Sequence, residues 1–118
     1  SVIYNLQIFY YKLIEVDMKT QITFRHTTAT HPKLHDEALS IANGFTKYHD
    51  GIISTNVEFI NEVNKTVGIT VHLTGNTIAA KEDSDDFHKS LHNASEKIIR
   101  QIKKYKTKQI SSRTKDID

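Results

Sequence analysis

Seven histidines and fourteen carboxylates are the side chains here that could move protons or hold a metal, and their spacing limits what they can do. His31 with His35, and His88 with His92, stand four residues apart, which puts both imidazoles of a pair on one face of a helix. Two ligands fall short of a catalytic zinc site, which needs a third ligand and an open position, and neither pair carries a His-Glu-x-x-His pattern. They read as surface histidines, and His72 reads as an ordinary polar residue on the solvent face of a strand. Glu82, Asp83, Asp85 and Asp86 could hold a cation or work as paired carboxylates, but a helix start draws negative charge without any reaction. Cysteine is absent, so thiol nucleophiles, thiolate zinc sites and disulfides are excluded. The four glycines are scattered and form no phosphate-cradling loop. No catalytic residue, metal, cofactor or small-molecule substrate is expected; a small metal-dependent enzyme built from the histidines and acids remains the distant alternative.

The stronger chemical signal is cationic. Lys97, Arg100, Lys103, Lys104, Lys106 and Lys108 place six bases among twelve residues with no acid between them. A net charge of only +2 means that distribution, not total charge, carries the information. A polyanion is the natural partner for such a surface, with a merely solubilising lysine face as the plain alternative. The same stretch carries Phe87, Leu91, Ala94, Ile98, Ile102 and Tyr105 at steps of three and four, one apolar stripe at the helical period. Ser84 to Lys108 is therefore expected to be an amphipathic helix, with Ser84 as N-cap, Asp85 and Asp86 in the first turn and the bases towards its end.

The elements that must position this helix follow from hydrophobic periodicity. Lys19 to His26 alternates as a half-buried strand, with Ile22 and Phe24 inward. Pro32 suits the first turn of a helix capped by Thr30 or His31, whose stripe is Leu34, Ala38, Ile41, Ala42 and Phe45, with Tyr48 continuing it and Asp50-Gly51 as the stop. Ile53, Thr55, Val57 and Phe59 alternate as a second strand, and Val67, Ile69, Val71 and Leu73 as a third. A tight turn at Thr74-Gly75-Asn76 leads into a fourth, with Ile78 and Ala80 inward. The order β, α, β, β, β, α predicts an α+β two-layer sandwich, a four-stranded sheet with both helices on one face, similar in layering to a double-stranded RNA-binding domain.

At 118 residues the chain suits one domain, expected over residues 18–108, with 109–118 as a short frayed tail. Ser1 to Asp17 is rich in β-formers and directly precedes Met18, so it reads as an upstream extension. Asn5 and Gln7 interrupt its apolar residues and Lys12 is its only base, so a secretory signal is not expected. An extra strand or a homodimer contact, through this extension or a sheet edge, stays open. No apolar run reaches the roughly 18 residues of a spanning helix, and a cytoplasmic protein without membrane contact is the expectation.

Taken together, these motifs resemble the ribosome hibernation promoting factor and ribosome-associated inhibitor family, also called sigma-54 modulation protein. The resemblance runs from Met18 to about Lys108. It rests on the Leu73-Thr74-Gly75-Asn76 turn, where members typically have Pro-Gly, on the Ser84-Asp85-Asp86-Phe87 helix start, and on Lys97 to Lys106 against a Lys-Leu-x-x-Gln-Leu-x-Lys-x-Lys helix end. The join Tyr48-His49-Asp50-Gly51-Ile52-Ile53 is also similar. Without the second domain of the long forms, the chain looks like the short form.

The resemblance implies a non-enzymatic protein that docks on 16S rRNA of the small ribosomal subunit, in the decoding channel, and sterically blocks messenger and transfer RNA under stress. By position it implies rRNA contacts at Lys97, Arg100, Lys103, Lys104, Lys106 and the neighbouring Lys108, with Arg25 and His26 at the end of the first strand extending that surface. The first helix departs from the family, since Ser40 to Lys47 offers only Lys47 where members usually carry several bases. A generic structured-RNA-binding module is the nearer alternative.

Overall fold

The computed structural model describes residues 19–117, with side chains described as far as Ile110. The expectations for Ser1 to Asp17, including a dimer contact through it, lie outside the described residues. The elements are β1 (Thr20–Arg25), α1 (Pro32–Phe45), β2 (Ile52–Asn61), β3 (Lys65–Leu73), β4 (Asn76–Ser84) and α2 (Phe87–Ile117). This is the expected β-α-β-β-β-α order. The sheet runs β1-β2-β3-β4, with β2, β3 and β4 an antiparallel meander and β1 added parallel to β2 across the α1 connection. Strands Val57, Phe59, Val67, Ile69, Val71 and Ile78 turn one face inward against Leu34, Ala38 and Phe45 of α1 and Leu91, Ala94, Ile98 and Ile102 of α2. The helical stripes are therefore buried where the 3.6 and 2.0 periods place them.

Three local expectations are corrected. Ile53 is 55% exposed, not inward, because the β2–β3 register shifts between Ile52 and Ser54. That bulge turns Ile52 to the face of Leu73 and restores Thr55 opposite Val71, so one extra residue exchanges which isoleucine is buried. The helix start also moves. Ser84 ends β4, and Asp86 is the cap, its Oδ1 accepting the His88 N–H at 3.0 Å, so both aspartates precede the first turn. Ser84 instead takes the Asp86 N–H on its Oγ at 3.2 Å, and its hydroxyl lies 2.7 Å from both the Asp86 carbonyl, to which it donates, and Ser90 Oγ, while buried Ser90 donates to the Lys65 carbonyl at 2.6 Å. Finally, α2 continues past Lys108 to Ile117, since no glycine or proline stops it.

At α1 the cap position is His31, but its side chain bonds no helix N–H. The ring stacks on Phe24 at 5.2 Å and meets Phe87 edge-on at 6.4 Å, so His31 serves the packing between β1 and α2. The helix ends at Phe45, five residues before Asp50, although Tyr48 still packs against the core as its stripe position requires.

Gly75 in the β3–β4 turn has φ 81°, a conformation that costs an L side chain. A Cβ there meets nothing within 4 Å, so the penalty is one of backbone alone. Gly75→Ala is expected to lower unfolding free energy by about 1 kcal/mol and Gly75→Asn by less; urea titration of both variants checks the order.

Candidate nucleic-acid interface

Helix α2 presents its cations because its apolar stripe is spent on the sheet. Around that stripe the six bases are not equivalent. Lys97 Nζ lies 2.6 Å from Glu82 Oε1 on β4, and Lys103 Nζ sits 5.4 Å from the centre of the Tyr48 ring. Arg100, Lys104, Lys106 and Lys108 are exposed and make no ion pair among the described residues. Lys104 and Lys108, one turn apart, line a shallow groove between α2 and the start of β4 together with Asn76, Thr77, Gln101 and Tyr105. Lys106 emerges on the other flank, beside His49, Asp50 and Gln109.

Arg25 and His26 do not extend this surface. Because β1 runs parallel to β2, Arg25 arrives beside Ile60, at the β2–β3 turn, where α2 begins through the Ser90–Lys65 bond. The basic end of α2 lies at the β3–β4 turn, where Tyr105 donates to the Thr74 carbonyl at 3.2 Å. The nine residues of β3 separate the two ends by roughly 27 Å. Each of the two residues also faces acid: Arg25 Nε is 3.1 Å from Glu58 Oε1, and His26 Nε2 is 3.8 Å from Glu62 Oε1. His26 adopts φ 60°, and its carbonyl accepts from Asn61 Nδ2 at 3.3 Å.

The histidine pairs part company. His88 Nδ1 and His92 Nε2 both reach Glu37 of α1, at 2.6 Å to Oε2 and 2.7 Å to Oε1. The carboxylate thus bridges two imidazoles a turn apart and ties the helices together. The His35 side chain pairs, among the described residues, with its neighbour Asp36 at 3.7 Å. Among the described residues, no group of three His, Asp or Glu side chains is arranged to hold a metal ion. The acids are also engaged locally: Glu82 with Lys97, Asp83 Oδ2 with Asn64 Nδ2 at 2.9 Å, and Asp86 as cap. Helix α1 carries one base, Lys33, so it adds little to a cationic surface.

The family model described as "Sigma 54 modulation protein / S30EA ribosomal protein" matches residues 20–110, which take in the whole sheet, α1 and α2 as far as Ile110. The chain belongs to this family. Among solved structures, the S30EA-family fold is shared with a ribosomal subunit interface protein from Coxiella burnetii, at 28% identity and a TM-score of 0.67, over 75% of this chain and 97% of that one. It is shared also with the N-terminal domain of Protein Y from Thermus thermophilus, at 19% identity and a TM-score of 0.65, over 72% and 94%. No curated protein matches the sequence. Within this S30EA-family chain, sequence reasoning missed Glu37 and His49, whose partners lie 51 and 60 residues away. No short-range pattern marks either contact.

Proposed function

We propose that this S30EA-family protein is a non-enzymatic ribosome hibernation factor of the cytoplasm, which binds 16S rRNA of the small subunit at the decoding channel and excludes messenger and transfer RNA by occupying their path. The observation that carries this is the exposed set Arg100, Lys104, Lys106 and Lys108, which make no ion pair among the described residues and fall within one stretch of a helix packed on the sheet. Family membership supports a ribosomal partner, and the similar Coxiella burnetii protein is described as a ribosomal subunit interface protein. Phosphate neutralisation supplies affinity in this mechanism, and the shape of the sheet and helices selects the site.

Salt dependence tests it. If four cations each neutralise a phosphate, affinity for small subunits falls about 150-fold between 50 and 200 mM salt; if Lys97 and Lys103 leave Glu82 and Tyr48 to join them, the fall is about 10³-fold. Cosedimentation across a salt series distinguishes these cases, with inhibition of translation followed on the same preparation. Absent or salt-insensitive binding overturns the proposal. Equal affinity for naked duplex RNA would favour a generic structured-RNA module, the reading to which a cationic helix on an α+β layer also lends itself.

A further inference from the structure

Four of the cations, Lys103, Lys104, Lys106 and Lys108, lie beyond Ile102, the last buried apolar residue of α2 among the described residues. Beyond it, among the described residues, only the half-buried Tyr105 still packs against the core. A lysine-rich helical stretch with so little apolar surface buried opens readily. What holds it here is a closed cycle of hydrogen bonds centred on His49, in the join between α1 and β2.

The cycle fixes its own proton positions. The Gly51 N–H donates to His49 Nδ1 at 2.8 Å, so Nδ1 presents a lone pair and Nε2 carries the hydrogen, donated to Gln109 Oε1 at 2.9 Å. Gln109 Nε2 then donates to the Tyr105 hydroxyl at 3.1 Å, whose own hydrogen goes to the Thr74 carbonyl at 3.2 Å. The Thr74 N–H closes the cycle on the Gly51 carbonyl at 3.1 Å. The His49 ring also stacks on Tyr105, with centroids 5.6 Å apart and 28° between planes. It sits so close beneath Gly51 that a Cβ there would come within 2.9 Å of the imidazole. Every donor is used once. The α1–β2 join and the β3–β4 turn are thereby locked to side chains that alternate with the lysines.

We propose that His49 is a positioning residue for the RNA-binding end of α2, acting through Gln109 and Tyr105 to hold Lys103 to Lys108 in one helical register against the sheet. This rests on the ribosome-binding reading above. Two substitutions divide its roles. Asparagine can place an amide oxygen where Nδ1 stands and keep the bond to Gly51 as an Asx turn, but it falls short of Gln109. Glutamine can place an amide nitrogen where Nε2 stands and keep the bond to Gln109.

The test compares wild type, His49→Asn and His49→Gln by cosedimentation with small subunits over a salt series, with thermal melts to establish folding and amide exchange at residues 103–110. For His49→Asn we expect binding weaker by about tenfold and a log–log salt slope shallower by about one, the signature of a lost phosphate contact. Faster exchange confined to 103–110 should accompany it. His49→Gln should stay near wild type in all three. Wild-type slope and affinity in His49→Asn overturn the proposal. If wild type itself fails to bind ribosomes, the ribosome reading falls, and unchanged exchange at 103–110 in His49→Asn then overturns the positioning role as well.

Discussion

Lys104→Glu with Lys108→Glu is expected to weaken binding to small ribosomal subunits by about 10²-fold or more at 0.1 M salt while leaving the fold intact. Both residues are exposed, line the same groove beside β4, and have no acid partner among the described residues, so their loss removes no ion pair there. Reversal also brings two carboxylates against phosphates. Arg25→Gln is the informative control, because Arg25 stands at the other end of the sheet and is already occupied by Glu58. It should leave affinity within about twofold, the scale of a surface change away from the contact. Cosedimentation of both variants, with a translation assay alongside, reads the contrast. Retained binding by the double variant, or equal loss in Arg25→Gln, would mean that the cationic end of α2 is not the contact.

The largest effect on stability is expected at Phe59. Its side chain is fully buried in the middle of the sheet, 4.7 Å from the Phe24 ring in a stacked pair and 5.4 Å from Phe87 edge-on. It therefore joins β1, β2 and the first turn of α2. Phe59→Ala removes that volume from a place where three rigid elements meet, and should cost about 3–5 kcal/mol. A domain of this size has about 5–15 kcal/mol in all. Chemical denaturation should show a midpoint shift of that size, whereas Phe59→Leu should recover most of it. A cost below about 1 kcal/mol would show that the core closes over the gap.

The layers were legible in the sequence because burial repeats: 3.6 for Leu91, Ala94, Ile98 and Ile102, and 2.0 for Val67, Ile69, Val71 and Leu73. Where periodicity is unbroken but geometry is not, it misleads. Alternation runs smoothly through Ile53, yet the bulge turns that residue outward. Ser84 and Asp86 are both good caps, and only the place where β4 ends selects the second. The same divide runs through the site. The bases of α2 could be named from their types, but their neutralisation could not, because Glu82 meets Lys97 only once β4 lies beside the helix. Arg25 and His26 were joined to the α2 bases by resemblance along the chain, which does not encode strand direction, and a parallel β1 carries Arg25 to the other end of the sheet. His49 depends on a partner 60 residues away, which no local pattern announces.

The carboxylate of Glu37 holds α2 near its first turns through His88 and His92, while His49 holds it near Lys108. Between these two points the helix is sealed to the sheet by Leu91, Ala94, Ile98 and Ile102. The consequence is one of preorganisation. A basic segment that folds only on reaching RNA surrenders part of its attraction to the entropy of becoming ordered. Here that entropy is lost when the domain folds, so a small number of lysines can act at nearly their full electrostatic strength. On the proposed ribosome-binding reading, this is how one helix can serve where α1 contributes a single base.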